Sequence, residues 1–253
     1  MTISRLREQL AASLAGEIVS GQLPPGSPVP SEPELIEQYG VSKTVARETV
    51  QLLASVGLVK VQHGKRTTVL EGDEWDILSP LVQMAFLASG AVEALVRELH
   101  QVRQLLEPHA AAQAAVRATP EDHSRLASIA ECAEASVEAD ANRRFLEADR
   151  AFHLAIVRSG SHNRVLSAIL RDVYTIFHAG IVELSEASRQ TAIEQHKAIA
   201  EAICASDPVA AEQLMHDHLD WAAKHRGLRS VDPVSHARAR TREDSVDPDA
   251  PGD

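Results

Sequence analysis

The sequence is poor in cysteine, in aromatic residues and in long apolar runs. Its two cysteines, Cys132 and Cys204, lie far apart, so they form neither a metal-binding spacing nor a disulfide framework. Such sparse use of cysteine is typical of a reduced cytosol, and we expect a cytoplasmic protein. No run of 18 apolar residues occurs, so no membrane-spanning helix is expected. Arg5, Arg7 and Glu8 interrupt the apolar residues near the start, which argues against a signal peptide.

The sequence is rich in Ala, Leu, Glu and Arg, which favours helices. Its net charge of −11 argues against a protein coated in nucleic acid. The charge is uneven, because residues 1–70 contain seven Lys/Arg and six Glu, for +1. The rest of the chain contains the other 18 Lys/Arg and all 30 remaining Asp/Glu, for −12. A small basic zone therefore precedes an acidic body.

The first 72 residues predict a winged helix-turn-helix domain. An amphipathic helix over about 3–20 is followed by a Pro/Gly loop. Ser31 and Glu34 form a capping-box pattern, which predicts a helix that ends at Gly40. Ser42 is a predicted N-cap for a second helix over about 43–55. Alternating residues on both sides of Gly64 then predict a two-stranded hairpin.

The remaining chain predicts an antiparallel all-α bundle over residues 79–228, after an acidic linker at 73–78. Thr119-Pro120 and Asp207-Pro208 are N-cap and first-turn pairs, and each predicts the start of a helix. Residues 229–253 have almost no apolar content, and we expect this tail to be disordered.

The basic residues fall on the two elements with which a winged helix reads DNA. In a helix-turn-helix the second helix enters the major groove with its N-terminal residues at the base edges. These predicted reading residues are Ser42, Lys43, Thr44 and Arg47. The predicted wing tip adds His63, Gly64, Lys65 and Arg66 for phosphate or minor-groove contacts. The alternative is a winged helix that binds protein and has a solvated charged face.

The segment from Leu23 to Leu70 resembles the winged-helix domain of the GntR family of bacterial transcription regulators. The resemblance lies in Pro30-Ser31-Glu32, Glu34-Leu35, the run GVSKT at 40–44, Arg47-Glu48 and Gly57-Leu58. The wing VQHGKRTTV is similar to that of the FadR subfamily. Pro33 departs from the pattern, because the family usually has at this position an arginine that contacts DNA. One DNA contact implied by the resemblance is therefore in question.

In the second half, Asp149 and His153 are four residues apart on a helix face that also carries Phe145, Phe152 and Ile156. Because a buried carboxylate needs a partner, the two residues either hydrogen-bond each other or bind a metal. Two further histidines lie on apolar helix faces, His196 with Ile199 and Ile203, and His218 with Leu214 and Trp221. One carboxylate and three imidazoles suit Zn²⁺ or Ni²⁺.

Residues 80–227 resemble the FCD ligand-binding domain of FadR-type regulators, through DRAFH at 149–153, HKAIAEAI at 196–203 and MHDHL at 215–219. The resemblance implies a divalent metal bound by Asp149, His153, His196 and His218. It also implies an effector acid bound beside the metal, with Arg103 as its clamp and Asn163 as a second contact. Arg103 could instead pair with a glutamate of the bundle, and Asn163 could be an N-cap.

The sequence thus predicts a DNA-binding regulator, which we interpret as a repressor of catabolic genes responsive to a small carboxylic or sugar acid. The linker EWDILSP, at 74–80, resembles the branch that responds to galactonate-type sugar acids. One winged helix reads few base pairs, so we expect a homodimer on a (pseudo)palindromic operator. The alternatives are a metal-responsive regulator without an organic effector, a purely structural metal, and a metalloenzyme. No second carboxylate near the ligands is evident as a general base, and we therefore expect no catalytic residues and no enzyme.

Overall fold

The structure, a computed structural model, describes residues 3–89, 91–134, 141–161, 163–179 and 184–225, and it confirms the mainly α fold class. A first group of elements is α1 (Ile3–Val19), α2 (Glu32–Tyr39), α3 (Lys43–Ser55), β1 (Val59–Lys60), β2 (Thr68–Val69) and α4 (Pro80–Ser89). The helical bundle consists of α5 (Val92–Arg117), α6 (Pro120–Glu134), α7 (Ala141–Ser161), α8 (Arg164–Ala179), α9 (Glu186–Cys204) and α10 (Pro208–His225).

Local capping positions the two helices of the helix-turn-helix. The Ser31 backbone N–H donates to the Glu34 carboxylate at 2.7 Å, and the Ser31 hydroxyl accepts from the Glu34 N–H at 3.4 Å. Gly40 ends α2 with φ of +63°, a left-handed conformation that glycine adopts at low cost. The Ser42 hydroxyl accepts the Val45 N–H at 3.3 Å and begins α3. These contacts confirm the predicted capping box and both N-caps.

The wing is a short antiparallel hairpin in which Val59 pairs with Val69 and Lys60 pairs with Thr68. Val59 and Val69 are buried against the winged-helix core, whereas the connecting residues 61–66 are exposed. Alternation of buried and exposed positions fixes which face of the hairpin meets the core. The predicted hairpin is confirmed, with strands of two residues each.

Helix α4 packs against α1, and its residues Val82 and Ala85 belong to the winged-helix core. Ile77 and Phe86 contact this core and also the cluster that α5 and α8 form in the bundle. The segment from 77 to 86 therefore has apolar contacts on both sides. The boundary near residue 79 stays a prediction.

Helix α5 is the centre of the bundle and packs against α7, α8, α9 and α10. Its Ala110, Ala111, Ala114 and Ala115 are buried, and side chains this small allow neighbouring helices to approach closely. Thr119 and Asp207 cap α6 and α10, which begin at Pro120 and Pro208 as the sequence predicted. The predicted tail at 229–253 lies outside the described residues. Across the described ranges, no helix combines the length and apolarity needed to cross a bilayer.

The contact between α5 and α7 depends on a glycine. A Cβ at Gly160 would lie 2.4 Å from the Ala110 carbonyl oxygen and 2.7 Å from the Ala114 nitrogen, both of them backbone atoms. Gly160→Ala should therefore lower the free energy of unfolding by about 1–3 kcal/mol, as overpacking does. Chemical denaturation of the metal-free protein measures this change.

Gly16, in α1, is the matched control, because a Cβ there meets nothing within 4 Å. Gly16→Ala should leave stability unchanged or raise it by up to about 1 kcal/mol, through better helix propensity. Equal effects of the two substitutions would contradict a close α5–α7 contact.

Candidate metal centre and DNA-reading surface

Helix α7 places Asp149 and His153 on its buried face. Asp149 is fully buried and His153 is 1% exposed, between the equally buried Phe145, Phe152 and Ile156. This is the face that the i, i+4 spacing predicted. His196 on α9 and His218 on α10 are also buried and face the same point. The structure therefore brings together all four residues that the sequence singled out as metal ligands.

The four side chains are close enough to share one ion. The Asp149 Oδ1 atom lies 3.8 Å from His153 Nε2 and 3.6 Å from His196 Nε2. The Nε2 atoms of His196 and His218 are 3.2 Å apart. Ligands at 2.0–2.1 Å from a tetrahedral ion would be about 3.4 Å from each other. The observed separations bracket this value, and the donor set of one oxygen and three nitrogens fits Zn²⁺ or Ni²⁺.

Two residues that the sequence analysis missed orient the histidines. The His153 Nδ1 atom lies 2.6 Å from Glu107 Oε2, and the His218 Nδ1 atom lies 2.8 Å from Gln195 Oε1. The His218 contact is a hydrogen bond, whereas the His153 contact is an ion-pair distance without hydrogen-bond alignment. Because carboxylate and amide oxygens are acceptors, the proton of each ring belongs on Nδ1. The lone pair of each Nε2 then faces the cluster. Outer partners of this kind are typical of metal-binding histidines.

Arg103 forms a buried ion pair with Glu107, which was one of the two alternatives for this residue. The Arg103 Nε atom donates to Glu107 Oε1 at 2.8 Å, and both side chains are 1% exposed. The Tyr174 hydroxyl donates to both carboxylate oxygens, at 2.9 and 3.0 Å. Burial alone would raise the pKa of Glu107, but Arg103 and His153 outweigh it and lower the pKa to about 2.

The guanidinium of Arg103 also lies at the edge of the four-ligand cluster. Its Cζ atom sits 4.4 Å from the ring centroids of Tyr174 and Phe177. Its Nη2 atom is 3.5 Å from His153 Nε2. Its buried Nη1 atom has no hydrogen-bond partner within the described residues. The ion pair thus leaves one end of the guanidinium available beside the candidate metal position.

Asn163 has the structural role that the sequence left open. Its Oδ1 atom accepts the N–H groups of Val165 and Leu166 at 2.9 and 3.2 Å, so Asn163 is the N-cap of α8. It lines a surface groove of about 630 Å³ together with residues of α7 and α8. Its role as an effector contact stays a prediction.

The residues predicted to read DNA are all exposed. Ser42, Lys43, Thr44 and Arg47 lie on the solvent side of α3, opposite the buried Val45, Ala46, Thr49, Val50 and Leu53. The four wing-tip residues His63, Gly64, Lys65 and Arg66 are also exposed. Arg66 is partly engaged, because its Nη2 atom lies 3.2 Å from Glu34 Oε1. Screening by solvent makes this exposed pair weak, so it does not prevent a phosphate contact.

Comparison with known proteins assigns a domain family to each half of the chain. The model for bacterial regulatory proteins of the gntR family matches residues 6–69, and the FCD domain model matches residues 98–220. The galactonate operon transcriptional repressor of Escherichia coli K12 is 31% identical over 221 residues, which cover 84% of this chain and 93% of that protein. The chain belongs to the GntR family. The FCD match contains the four clustered residues and also Arg103 and Glu107.

A second relative and a solved structure extend the comparison. The Glc operon transcriptional activator of Escherichia coli K12 is 28% identical over 246 residues and covers 92% of this chain and 93% of its own. The solved structure of Lar, described as controlling the Listeria monocytogenes agr system, is 14% identical with a TM-score of 0.57. It covers 88% of this chain and 97% of its own, and it shows the fold alone. The protein is therefore a DNA-binding transcription regulator and not an enzyme.

The two reading elements predict different effects on DNA binding. If Arg47 reads a guanine, Arg47→Ala should cost about 1–3 kcal/mol on the operator and relax base preference. Lys65→Ala removes a phosphate contact, so it should weaken binding to all sequences alike and reduce the salt slope by about one. Binding to operator and to unrelated DNA over a salt series measures both. Unchanged affinity in both variants would remove the assignment of this surface.

The candidate metal centre predicts a contrast between two histidines of α10. His218→Ala removes a buried ligand, and metal affinity should fall by more than about 100-fold, because even outer partners of a metal contribute about 10–100-fold. His216→Ala is the matched control, since the His216 side chain is 51% exposed and lies near Asp217 and Asp220. Elemental analysis of bound metal and chelator titration compare the two. Equal metal content in both variants would contradict the centre.

Proposed function

We propose that the protein is a cytoplasmic, homodimeric regulator whose operator affinity changes when a small carboxylic or sugar acid binds beside a divalent metal. Asp149, His153, His196 and His218 would hold the ion, with Zn²⁺ or Ni²⁺ as the best fit. The observation that supports this proposal most is the position of Arg103. Its Nη2 atom lies 3.5 Å from a ligand nitrogen, and its Nη1 atom has no partner within the described residues.

The charges of the pocket favour an anionic effector. Arg103 and Glu107 neutralise each other, so a dication with Asp149 leaves a net charge of about +1 at the cluster. When bound, the metal supplies a Lewis-acidic position for an oxygen of the effector. Arg103 supplies a donor for a carboxylate oxygen of the same molecule, because guanidinium geometry matches carboxylates. A hydroxy acid, with two neighbouring oxygens, satisfies both requirements.

The relatives support a sugar acid and a repressor. One relative is named a galactonate operon repressor, and galactonate is a hydroxy acid of this kind. We therefore propose that the protein represses genes for the catabolism of such an acid. The Glc operon relative is named an activator, so the sign of regulation needs a direct test.

The DNA-binding half supports a dimer. The exposed residues that we propose for DNA reading in one chain are three on α3, its N-cap Ser42 and four on the wing, and they can contact only a short half-site. A two-fold dimer would read two half-sites, and its operator would be (pseudo)palindromic. The dimer would have one arrangement that binds DNA and one that releases it. The effector can change operator affinity only by as much as its binding free energy differs between these two arrangements.

The decisive experiment is operator binding by wild type, His218→Ala and His216→Ala, with and without an acid. A thermal-shift panel of sugar acids and hydroxy acids on the metal-loaded protein first identifies the acid. We expect the acid to change operator affinity of wild type and His216→Ala by about 5–150-fold, the usual range of coupling between sites. His218→Ala should bind the operator normally without responding to the acid, because the reading surface and the metal centre lie in different parts of the chain.

Three results would change the proposal. If His218→Ala responds to the acid as wild type does, the metal does not anchor the effector and is structural. If adding metal alone changes operator affinity and no acid does, the protein senses metal. If wild type itself binds no operator DNA, with or without metal and acid, the proposed regulation of operator affinity fails.

A further inference from the structure

Glu107 contacts both parts of the proposed effector pocket, which are the guanidinium of Arg103 and the four-residue cluster that would hold the metal. One oxygen accepts the Arg103 Nε–H at 2.8 Å, and the other lies 2.6 Å from His153 Nδ1. The Tyr174 hydroxyl donates to both oxygens. This carboxylate is 1% exposed and contacts an arginine, a histidine and a tyrosine that are themselves buried. It is not one of the four clustered residues.

The Glu107 carboxylate neutralises Arg103, and it also decides which ring nitrogen of His153 carries the proton. At 2.6 Å two acceptors would repel each other, so the proton of His153 belongs on Nδ1, next to the Glu107 carboxylate at ion-pair distance, although the two groups are not aligned as a hydrogen bond. The lone pair of Nε2 then faces Asp149 Oδ1, at 3.8 Å. The other tautomer would turn an N–H group towards the ion, and a flipped ring would turn a C–H group towards it. Either change would remove His153 from the ligands.

We propose that Glu107 is a positioning residue, which fixes the tautomer and ring orientation of His153 for metal binding and holds Arg103 beside the same site. The inference rests on the proposed metal centre. It assigns to one side chain the relative placement of the ion and of the guanidinium. Metal affinity and the geometry around the ion therefore depend on a residue that does not touch the ion.

The test is a double-mutant cycle on metal affinity. Glu107→Leu, His153→Ala and the double variant are titrated with Zn²⁺ against a competing chelator. Glu107→Leu removes the acceptor and alone should weaken Zn²⁺ binding about 10–100-fold, the range for outer partners of a metal-binding histidine. With His153 replaced by alanine, the same substitution should change affinity less than about threefold, because the group it orients is gone.

Spectroscopy separates positioning from a general effect on the fold. Co²⁺ bound to Glu107→Leu should show an altered ligand-field spectrum, because His153 leaves or tilts. Tyr174→Phe is the matched control, since it removes a hydrogen bond to Glu107 and keeps the ring beside His153. Its Co²⁺ spectrum should match that of wild type, and its Zn²⁺ affinity should stay within about threefold of wild type.

Because Glu107→Leu leaves Arg103 buried without its counter-charge, a second variant guards against unfolding. Arg103→Met with Glu107→Leu removes both charges of the pair, and it should show the same loss of Zn²⁺ affinity as Glu107→Leu. An equal loss from Glu107→Leu in wild-type and His153→Ala backgrounds would overturn the positioning role. If wild type binds no Zn²⁺ or Co²⁺ at all, the metal centre of the proposed function fails, which is a different result.

Discussion

The bundle encloses ionisable groups that are stable only together. Arg103, Glu107, Asp149 and three histidines all lie buried where α5, α7, α9 and α10 meet. A single buried charge would be expelled or neutralised, because desolvation costs several kcal/mol. Here the cation of Arg103 is balanced by Glu107, and the Nδ1 atoms of His153 and His218 lie 2.6 and 2.8 Å from oxygens of Glu107 and Gln195. Each of these helices therefore turns inward a face on which the buried polar groups stand among apolar residues.

Much of this arrangement follows from sequence patterns. The capping residues Ser31 and Ser42 predicted the beginnings of α2 and α3, because their side-chain oxygens satisfy the first backbone N–H groups of a helix. The spacing of Asp149 and His153 predicted a shared buried face, since residues four apart lie one above the other on a helix. His196 and His218 were found by the apolar residues that share their faces. Each of these patterns is local to one helix.

The partners of the ligands could not be assigned in the same way. Glu107 lies four residues after Arg103, so their pairing was a possible reading of the sequence, but its contact with His153 crosses from α5 to α7. Tyr174 reaches Glu107 from α8, and nothing near it in sequence indicates a polar partner. Gln195 stands beside His196 in sequence yet contacts His218. Contacts between helices depend on crossing geometry and rotation, which spacing along a single helix does not contain.

Ile77 and Phe86 touch apolar clusters of both the winged helix and the bundle. Packed interiors resist compression, so a displacement on one side of these two residues has to be accommodated on the other. The part of the chain that carries the pocket and the part that carries the reading helix are therefore connected by packed side chains, and not by a flexible linker alone. The segment from Ile77 to Phe86 is in apolar contact with the winged helix on one side and with the bundle on the other. A small rearrangement at α5 or α8 would therefore meet side chains that are also packed against the core of the winged helix.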